Sequence, residues 1–77
     1  MAKTVIVYHQ PGCPPCHTAM EYLSQRGIPF IAKNVQEDED AMRELTEDYR
    51  SRSTPTIVVD GQVMIGLDRK RLDAMLN

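Results

Sequence analysis

The sequence predicts an α/β fold with the element order β-α-β-α-β-β-α, in which helices flank a four-stranded mixed sheet. Two patterns support this prediction. β-branched runs alternate with stretches whose apolar residues recur at helical spacing, and an Asp60-Gly61 turn lies between two apolar runs. The chain has 77 residues, enough for one compact domain and too few for two. We therefore predict a single domain over residues 1–77.

The first half of the chain is predicted to form a strand, a helix and a second strand. Lys3 to Tyr8 is β-branched and aromatic and runs into a Pro-Gly turn, as expected of a buried strand. From Pro14 to Arg26 the apolar residues recur every three or four positions, and Gly27 follows as a helix stop. The second strand is predicted over Ile28 to Val35.

The second half is predicted to form a helix, a hairpin and a last helix. An aspartate at position 38 or 40 can cap a helix that runs to about Arg50 and has three apolar residues on one face: Met42, Leu45 and Tyr49. Thr56–Val59 and Gln62–Ile65 flank the Asp-Gly turn, and a helix follows over Arg69–Leu76. Short, right-handed connections favour a parallel first strand pair and an antiparallel last pair.

Composition and charge argue against several function classes. Nine Lys and Arg against 11 Asp and Glu give a net charge of -2, and the longest basic run is Arg69–Arg71, so we do not expect a nucleic-acid partner. The apolar run near the start is far shorter than a signal or membrane segment. We therefore expect a cytoplasmic protein with no membrane association. In that reducing compartment, close cysteines are more often catalytic or metal-binding than structural.

The candidate redox centre is Cys13-Pro14-Pro15-Cys16, at the junction of the first strand and the first helix. Helical geometry places Cα atoms three residues apart at about 5 Å, within the range of a disulfide. A four-residue loop gains only about 2 kcal/mol from such a bond, against about 3 for fifteen residues. This small gain favours a labile bond over a structural one.

The two cysteines are predicted to have different roles. Cys13 lies at the helix N-terminus, where unpaired amides and the helix dipole lower the pKa of a thiol, so we expect it to be the nucleophile. Cys16 lies one turn deeper on the apolar face and is expected to be the resolving thiol. Attack by Cys13 on a substrate disulfide would give a mixed disulfide that Cys16 then breaks.

Two other interpretations use the same residues. Cys13-x-x-Cys16-His17 matches the attachment motif of a c-type haem, but the chain has neither an export segment nor spare apolar residues for a haem pocket. A zinc site could add His9 and His17, but adjacent helical residues point about 100° apart and make poor co-ligands. We therefore predict no metal and no bound organic cofactor.

The sequence resembles the glutaredoxins of the thioredoxin-like superfamily, in particular the compact bacterial glutaredoxin-like proteins. Besides the cysteine motif after the first strand, two segments carry the resemblance at matching spacings: Ser53-Thr54-Pro55 before the third strand and Gly66-Leu67-Asp68 before the last helix. The resemblance covers nearly the whole chain and implies a thioredoxin-like fold. It also implies that the Thr54–Pro55 bond is cis, lies opposite the cysteines and exposes the backbone of Thr54 to an incoming peptide or glutathione.

Glutathione contacts are also implied by the resemblance, and here the chain departs from its relatives. Many glutaredoxins have a lysine three residues before the nucleophile, where this chain has Gln10, a loss on the order of 1 kcal/mol of charge-assisted contact. Where the family has a Gly-Gly pair, this chain has a single glycine, Gly66. Arg52 and Asp68 occupy positions where relatives bind the charged ends of glutathione. A solvated loop arginine and a helix cap are the alternative roles of these two residues.

The predicted function is a thiol-disulfide oxidoreductase that reduces protein disulfides or glutathione mixed disulfides, with glutathione as co-substrate. A second candidate is an electron carrier that is recharged by a flavoprotein of the thioredoxin-reductase type and serves ribonucleotide reductase or another protein disulfide. A third is a non-catalytic metal-binding or scaffold protein on the same fold. We expect a monomer.

Overall fold

A central four-stranded sheet with helices on both faces makes up the computed structural model, which describes residues 3–77. The strands are β1 (Val5–His9), β2 (Ile31–Asn34), β3 (Thr56–Val59) and β4 (Gln62–Ile65). The helices are α1 (Pro14–Gln25), α2 (Glu39–Arg43) and α3 (Arg69–Leu76), and a π-helical turn over Glu44–Asp48 continues α2. The predicted fold class and element order are confirmed. The single domain over residues 1–77 stays a prediction, and its first two residues lie outside the described residues.

The sheet has the strand order β2-β1-β3-β4. β1 and β2 are parallel, as predicted, whereas β3 is antiparallel to both β1 and β4. Tyr8 on β1 pairs with Thr56 on β3, and Thr56 pairs with Ile65 on β4. The end of β1, the start of β3 and the end of β4 therefore meet at one end of the sheet, which we call the site end.

Alternating side chains of β1 supply two hydrophobic cores, one on each face of the sheet. Val5 and Val7 face α1 and α3, whereas Tyr8 faces α2 and the π-helical turn. The first core is the larger, and its buried members are Val5, Val7, Ala19, Leu23, Ile57, Val59, Met64, Leu72 and Met75. α1 and α3 thus share one face of the sheet, and α2 covers the other.

The second strand is shorter than predicted, because the first residue of the predicted strand closes the C-terminus of α1 instead. Gly27 adopts a φ of 68°, and the amide of Ile28 donates to the carbonyl of Leu23 at 3.0 Å. This is the hydrogen bond that closes a helix C-terminus at a glycine, so Ile28 cannot pair with β1. Pro29 has no amide to donate, and pairing with β1 begins only at Ile31.

The second helix also differs from the prediction of one helix to Arg50. The amide of Tyr49 donates to the carbonyl of Glu44 at 3.0 Å, five residues back, which widens the last turn. Tyr49 then packs against the ring of Tyr8, with centroids 5.7 Å apart. Met42 was predicted to share a face with Leu45 and Tyr49, but it is 40% exposed, and the buried residues of this segment are Ala41 and Leu45.

A hydrogen-bonded cluster ties the π-helical turn to the sheet. The buried Tyr8 hydroxyl donates to Glu44 Oε1 at 2.7 Å, and Lys33 Nζ donates to the same oxygen at 2.8 Å. The bond from Lys33, followed by the bond from Tyr8, lowers the pKa of Glu44 below its usual 4.5. Burial, followed by the hydrogen bond to Glu44, raises the pKa of Tyr8.

We expect Glu44 to stabilise the fold at neutral pH and not in acid. Because its pKa is lower in the folded state, its contribution is present above about pH 4.5 and disappears as pH falls through the folded-state value. In Glu44→Gln, the free energy of unfolding should therefore fall less between about pH 6 and about pH 3 than in the parent protein. Urea unfolding across this range measures the effect, with the exposed Glu39→Gln as control. Equal pH dependence in Glu44→Gln and the parent would contradict the expectation.

Candidate active site

The site lies where β1 turns into α1. After His9 the chain makes a tight turn in which Gly12 adopts a φ of 71°, a conformation that side chains disfavour. Cys13 is the N-cap residue of α1, with a φ of -120° and a ψ of 90°. Pro14 and Pro15 occupy the first two helical positions, where a missing amide breaks no intrahelical bond. Cys13 is therefore at the helix N-terminus, as predicted.

Cys13 and Cys16 form a disulfide with a Cα–Cα distance of 5.3 Å, close to the distance expected from helical spacing. Cys13 is partly exposed, whereas Cys16 is only 2% exposed and belongs to the buried face of α1. The two sulfurs therefore differ in access. A substrate can approach the first sulfur but not the second.

Hydrogen-bond donors surround the Cys13 sulfur. The amide of Cys16 donates to Cys13 Sγ at 3.3 Å, and the hydroxyl of Thr54 donates to it at 3.6 Å. The carbonyl oxygen of Thr54 is also 3.6 Å from this sulfur, which carries no proton while the disulfide is intact. When the disulfide opens, both donors can stabilise a Cys13 thiolate.

The Thr54–Pro55 segment faces the cysteines, and its peptide bond is cis, as the resemblance implied. The carbonyl and hydroxyl oxygens of Thr54 both contact Cys13, and the segment leads directly into β3. The segment therefore supplies a short stretch of backbone beside the reactive sulfur.

A buried hydroxyl network, which was not predicted from the sequence, holds this segment in place. Ser51 and Thr56 are 1% and 0% exposed, and their hydroxyl oxygens are 2.8 Å apart. The Thr56 hydroxyl also donates to the carbonyl of Ser53 at 2.7 Å, and the Ser51 hydroxyl lies 3.2 Å from the same oxygen. The sequence signal was the run of hydroxyl residues on both sides of Pro55.

The predicted glutathione contacts lie around the cysteines in different environments. Gln10 lines the groove beside Cys13, and its side-chain oxygen lies 3.4 Å from Gln36 Nε2. Arg52 is exposed and forms no ion pair within residues 3–77. Neither position conflicts with a role in substrate binding.

Gly66 and Asp68 lie on the other side of Pro55. The amide of Gly66 donates to the carbonyl of Pro55 at 2.8 Å, which joins the end of β4 to the start of β3. The Asp68 carboxylate accepts a hydrogen bond from the amide of Arg71 at 3.2 Å and thereby caps α3. The helix-cap role of Asp68 is thus present in the structure.

The groove at the site end has a volume of about 490 Å³ and is open to solvent. Seven residues line it: Gln10, Gly12, Cys13, Pro14, Cys16, His17 and Met20. His17 is directed to solvent, with a side-chain exposure of 78%, and its Nε2 lies 3.4 Å from Glu21 Oε2. Within residues 3–77, no three His, Cys, Asp or Glu side chains converge as metal ligands would.

None of the helices in the described part of the chain combines the length and the apolar character needed to cross a membrane.

The chain is similar to known proteins over the residues that form the site. The model of the glutaredoxin family matches residues 5–64, a segment that includes both cysteines and the Thr54–Pro55 bond. A glutaredoxin-like 8.6 kDa protein of the rubredoxin operon of Clostridium pasteurianum is 29% identical over 70 residues, which cover 91% of this chain and 93% of that protein.

Solved structures agree with the fold. The crystal structure of the thioredoxin-like protein BC3987 has a TM-score of 0.91 and 38% identity, and the match covers 95% of this chain and 100% of that one. The glutaredoxin-like protein NrdH-redoxin from Escherichia coli has a TM-score of 0.81 at 20% identity, with 92% of both chains covered. The fold is therefore the thioredoxin-like α/β fold.

Proposed function

This chain belongs to the glutaredoxin family as a dithiol redox protein with the active-site pair Cys13 and Cys16, and from that premise we propose that it catalyses the reduction of disulfides. Its substrates are protein disulfides or mixed disulfides with glutathione. One observation carries this proposal, the asymmetry of the pair. Cys13 is accessible beside the hydrogen-bond donors of Cys16 and Thr54, and Cys16 is buried one helical turn away.

The reaction starts from the reduced dithiol. The Cys13 thiolate attacks one sulfur of the substrate disulfide, which breaks, and the other substrate sulfur leaves as a thiolate that takes up a proton. Cys16, after losing its proton, attacks the Cys13 sulfur of the mixed disulfide and releases the second substrate thiol. Two electrons and two protons pass from the dithiol to the substrate, and the Cys13–Cys16 disulfide is formed.

Thr54 is the proposed contact for the substrate backbone. Its carbonyl lies 3.6 Å from the Cys13 sulfur, so an extended chain that is bound to this sulfur would run beside the segment that precedes β3. Pro55 has no amide that could compete for the substrate carbonyls. Ser51 and Thr56 hold the segment through buried hydroxyl bonds and act as positioning residues.

Glutathione is the proposed electron donor, through two molecules that are oxidised to glutathione disulfide as the Cys13–Cys16 disulfide is reduced. The second candidate is a donor flavoprotein of the thioredoxin-reductase type, with ribonucleotide reductase or another protein disulfide as acceptor. Gln10 favours this second candidate, because a neutral amide replaces the lysine that binds a glutathione carboxylate in many relatives. Escherichia coli NrdH-redoxin, which shares the fold, has a thioredoxin-like activity profile.

A coupled assay tests the proposal and identifies the donor. The protein is given a small mixed disulfide together with either glutathione and its reductase or thioredoxin reductase, and NADPH consumption is followed. Turnover with glutathione supports the first candidate, and turnover with the flavoprotein alone supports the second. Turnover with neither system would favour the non-catalytic candidate.

If glutathione is the donor, Gln10→Lys should lower the KM for glutathione several-fold, since it adds one charge-assisted contact of about 1 kcal/mol.

A further inference from the structure

An apolar side chain is exposed at the site end of the sheet. Ile65 is the last residue of β4, and at 56% exposure it is the most exposed large apolar side chain in residues 3–77. It pairs with Thr56, the first residue of β3, and the amide of Gly66 after it donates to the carbonyl of Pro55 at 2.8 Å. Ile65 is therefore directly beside the segment whose Thr54 carbonyl lies 3.6 Å from the Cys13 sulfur.

The path from Ile65 to the reactive sulfur is short. Because Gly66 and Pro55 share a hydrogen bond, the neighbouring pair of Ile65 and Thr56 is a non-hydrogen-bonded pair, with Cα atoms about 4.5 Å apart. Two peptide links, one of them cis, separate Thr56 from Thr54 and span at most about 7 Å. The Cα atoms of Ile65 and Thr54 are thus no more than about 11 Å apart, which three or four residues of extended chain cover.

The backbone of Ile65 is available to a partner. β4 is the outermost strand in the order β2-β1-β3-β4. In a non-hydrogen-bonded pair, the amide and carbonyl of each residue point away from the other strand, so those of Ile65 point to the free edge of the sheet. Val63, two residues earlier, has the same orientation. The edge of β4 therefore offers donors and acceptors that no strand within residues 3–77 uses, and an added strand can bond to them.

The edge of β4 has none of the residues that usually protect an exposed strand. Proteins commonly place charged side chains or proline on edge strands, which discourages pairing with another chain. The opposite edge strand, β2, follows this rule, since it contains Lys33 and comes directly after Pro29 and Phe30. The sequence of β4 is Gln-Val-Met-Ile, with no charge and no proline. This edge is thus chemically suited to an extended polypeptide.

The side chain of Ile65 lies on the same face of the sheet as the loop that leads to Thr54. Met64 belongs to the core under α1 and α3, so Ile65 alternates to the face of α2. On that face its cross-strand partner Thr56 is fully buried and bonds to Ser51, with hydroxyl oxygens 2.8 Å apart. Cβ atoms of such a pair are about 5 Å apart. The exposed surface of Ile65 thus adjoins the substrate-binding segment.

We propose that Ile65 is a specificity-determining residue. An extended segment of a protein substrate pairs with the outer edge of β4 and places an apolar side chain on Ile65, while the disulfide three or four residues away reaches Cys13. This inference rests on the proposed function and names the substrate class of that same site. Glutathione has one residue on either side of its cysteine, too few to span about 11 Å. A glycine at position 65 would offer no side chain for this contact.

The test measures how fast the pre-reduced protein is oxidised by two peptides of equal length and charge, each a symmetric disulfide of two identical chains. One peptide has valine, and the other serine, three and four residues on both sides of its cysteine. A small uncharged disulfide serves as the reference. We expect the valine peptide to react at least about fivefold faster than the serine peptide. Because the contact is apolar, this ratio should persist at about 0.5 M salt.

Two substitutions of Ile65 separate its side chain from its backbone. Ile65→Thr keeps the β-branched shape but removes the apolar contact, so the ratio of the two rates should fall to about twofold or less. Ile65→Pro removes the outward amide, which an edge strand tolerates, and should slow both peptides about threefold or more relative to the small disulfide.

Ile31→Thr is the matched control. Ile31 is 50% exposed and begins the other edge strand, β2, away from the site end. The same chemical change there should leave the ratio of the two peptide rates intact. Circular dichroism shows which variants are folded, and Ile65→Thr alone decides the matter if Ile65→Pro is not.

The outcomes separate the two proposals. If the small disulfide is reduced but the valine and serine peptides react equally fast, the inference about Ile65 is wrong and the proposed function stands. The inference is also wrong if Ile31→Thr lowers the ratio as much as Ile65→Thr does. A dimer in sedimentation equilibrium that Ile65→Pro dissociates would likewise overturn it, because a second copy of the chain would then cover the edge. If no disulfide oxidises the reduced protein, both proposals fail.

Discussion

Cys13→Ser will abolish disulfide reduction, with a loss of at least about a thousandfold in turnover. A serine hydroxyl is almost fully protonated at neutral pH, and two hydrogen-bond donors from Cys16 and Thr54 do not make it a nucleophile towards sulfur. Cys16→Ser should behave differently. Cys13 is still able to attack, but no thiol is left to release the substrate, so a mixed disulfide with the protein substrate accumulates.

Mass spectrometry of the trapped species measures this difference. After exposure to a disulfide peptide, Cys16→Ser should gain the mass of one peptide thiol, and Cys13→Ser should gain none. Ser24→Ala, at an exposed position of the same helix, controls for unrelated changes in α1. If Cys13→Ser formed the adduct and Cys16→Ser did not, the two roles would be reversed. Equal adducts on both variants would mean that burial does not distinguish the sulfurs.

Leu23→Ala will remove a large part of the stability of the protein. Leu23 is fully buried between α1 and the sheet, and truncating such a side chain costs about 2–5 kcal/mol. Natural domains are stabilised by about 0.05–0.15 kcal/mol per residue, which corresponds to about 4–12 kcal/mol for a chain of this length. A small domain has few other core residues to compensate. We therefore expect a clear fall in the denaturation midpoint.

Urea unfolding of the oxidised protein measures the change in free energy. Ser24→Ala, the neighbouring exposed position, should change the free energy of unfolding by no more than about 0.5 kcal/mol. A loss below about 1 kcal/mol in Leu23→Ala would show that the core relaxes around the cavity. Because Leu23 lies two turns after Cys16, the same variant also shows whether the position of the cysteines depends on the packing of α1.

Local signals were enough to predict the elements whose ends depend on nearby residues. The Asp60-Gly61 turn placed both strands of the hairpin at their observed bounds, since this turn selects its own backbone conformation. The prolines after Cys13 predicted the start of α1 for a similar reason. The predicted end of α1 differs from the observed end by one residue, a common uncertainty at helix termini.

Elements that depend on distant partners were predicted less well. The start of β2 could not be read from Ile28 and Pro29, because the first residue closes α1 and only the sheet partner determines where pairing begins. The π-helical turn ends at Tyr49, whose ring packs against Tyr8, a contact across more than forty residues. The apolar face predicted for this helix included Met42, which is 40% exposed, whereas Leu45 is buried.

The features of the site also divide into those that nearby residues determine and those that depend on distant contacts. The cysteine spacing and its place after a strand were sufficient to predict the pair, the N-terminal location of Cys13 and the burial of Cys16, because these follow from helix geometry over a single turn. The role of Asp68 as a helix cap was likewise available as an alternative. The hydroxyl network of Ser51 and Thr56 was not, since a serine and a threonine in a polar loop are typical of exposed turns.

What the sequence alone determined about this protein is the set of features that short-range geometry controls: the fold class, the order of elements and the reactive dithiol at a helix N-terminus. The resemblance to glutaredoxins implied that the Thr54–Pro55 segment lies opposite that dithiol, and only the tertiary structure decided how close it comes and what holds it there. The Thr54 carbonyl lies 3.6 Å from Cys13 Sγ, and the hydroxyl oxygens of Ser51 and Thr56, 2.8 Å apart, hold the segment there. The physical reason is that these neighbours are brought together by strand pairing and core packing between residues far apart in the chain, which no local pattern encodes.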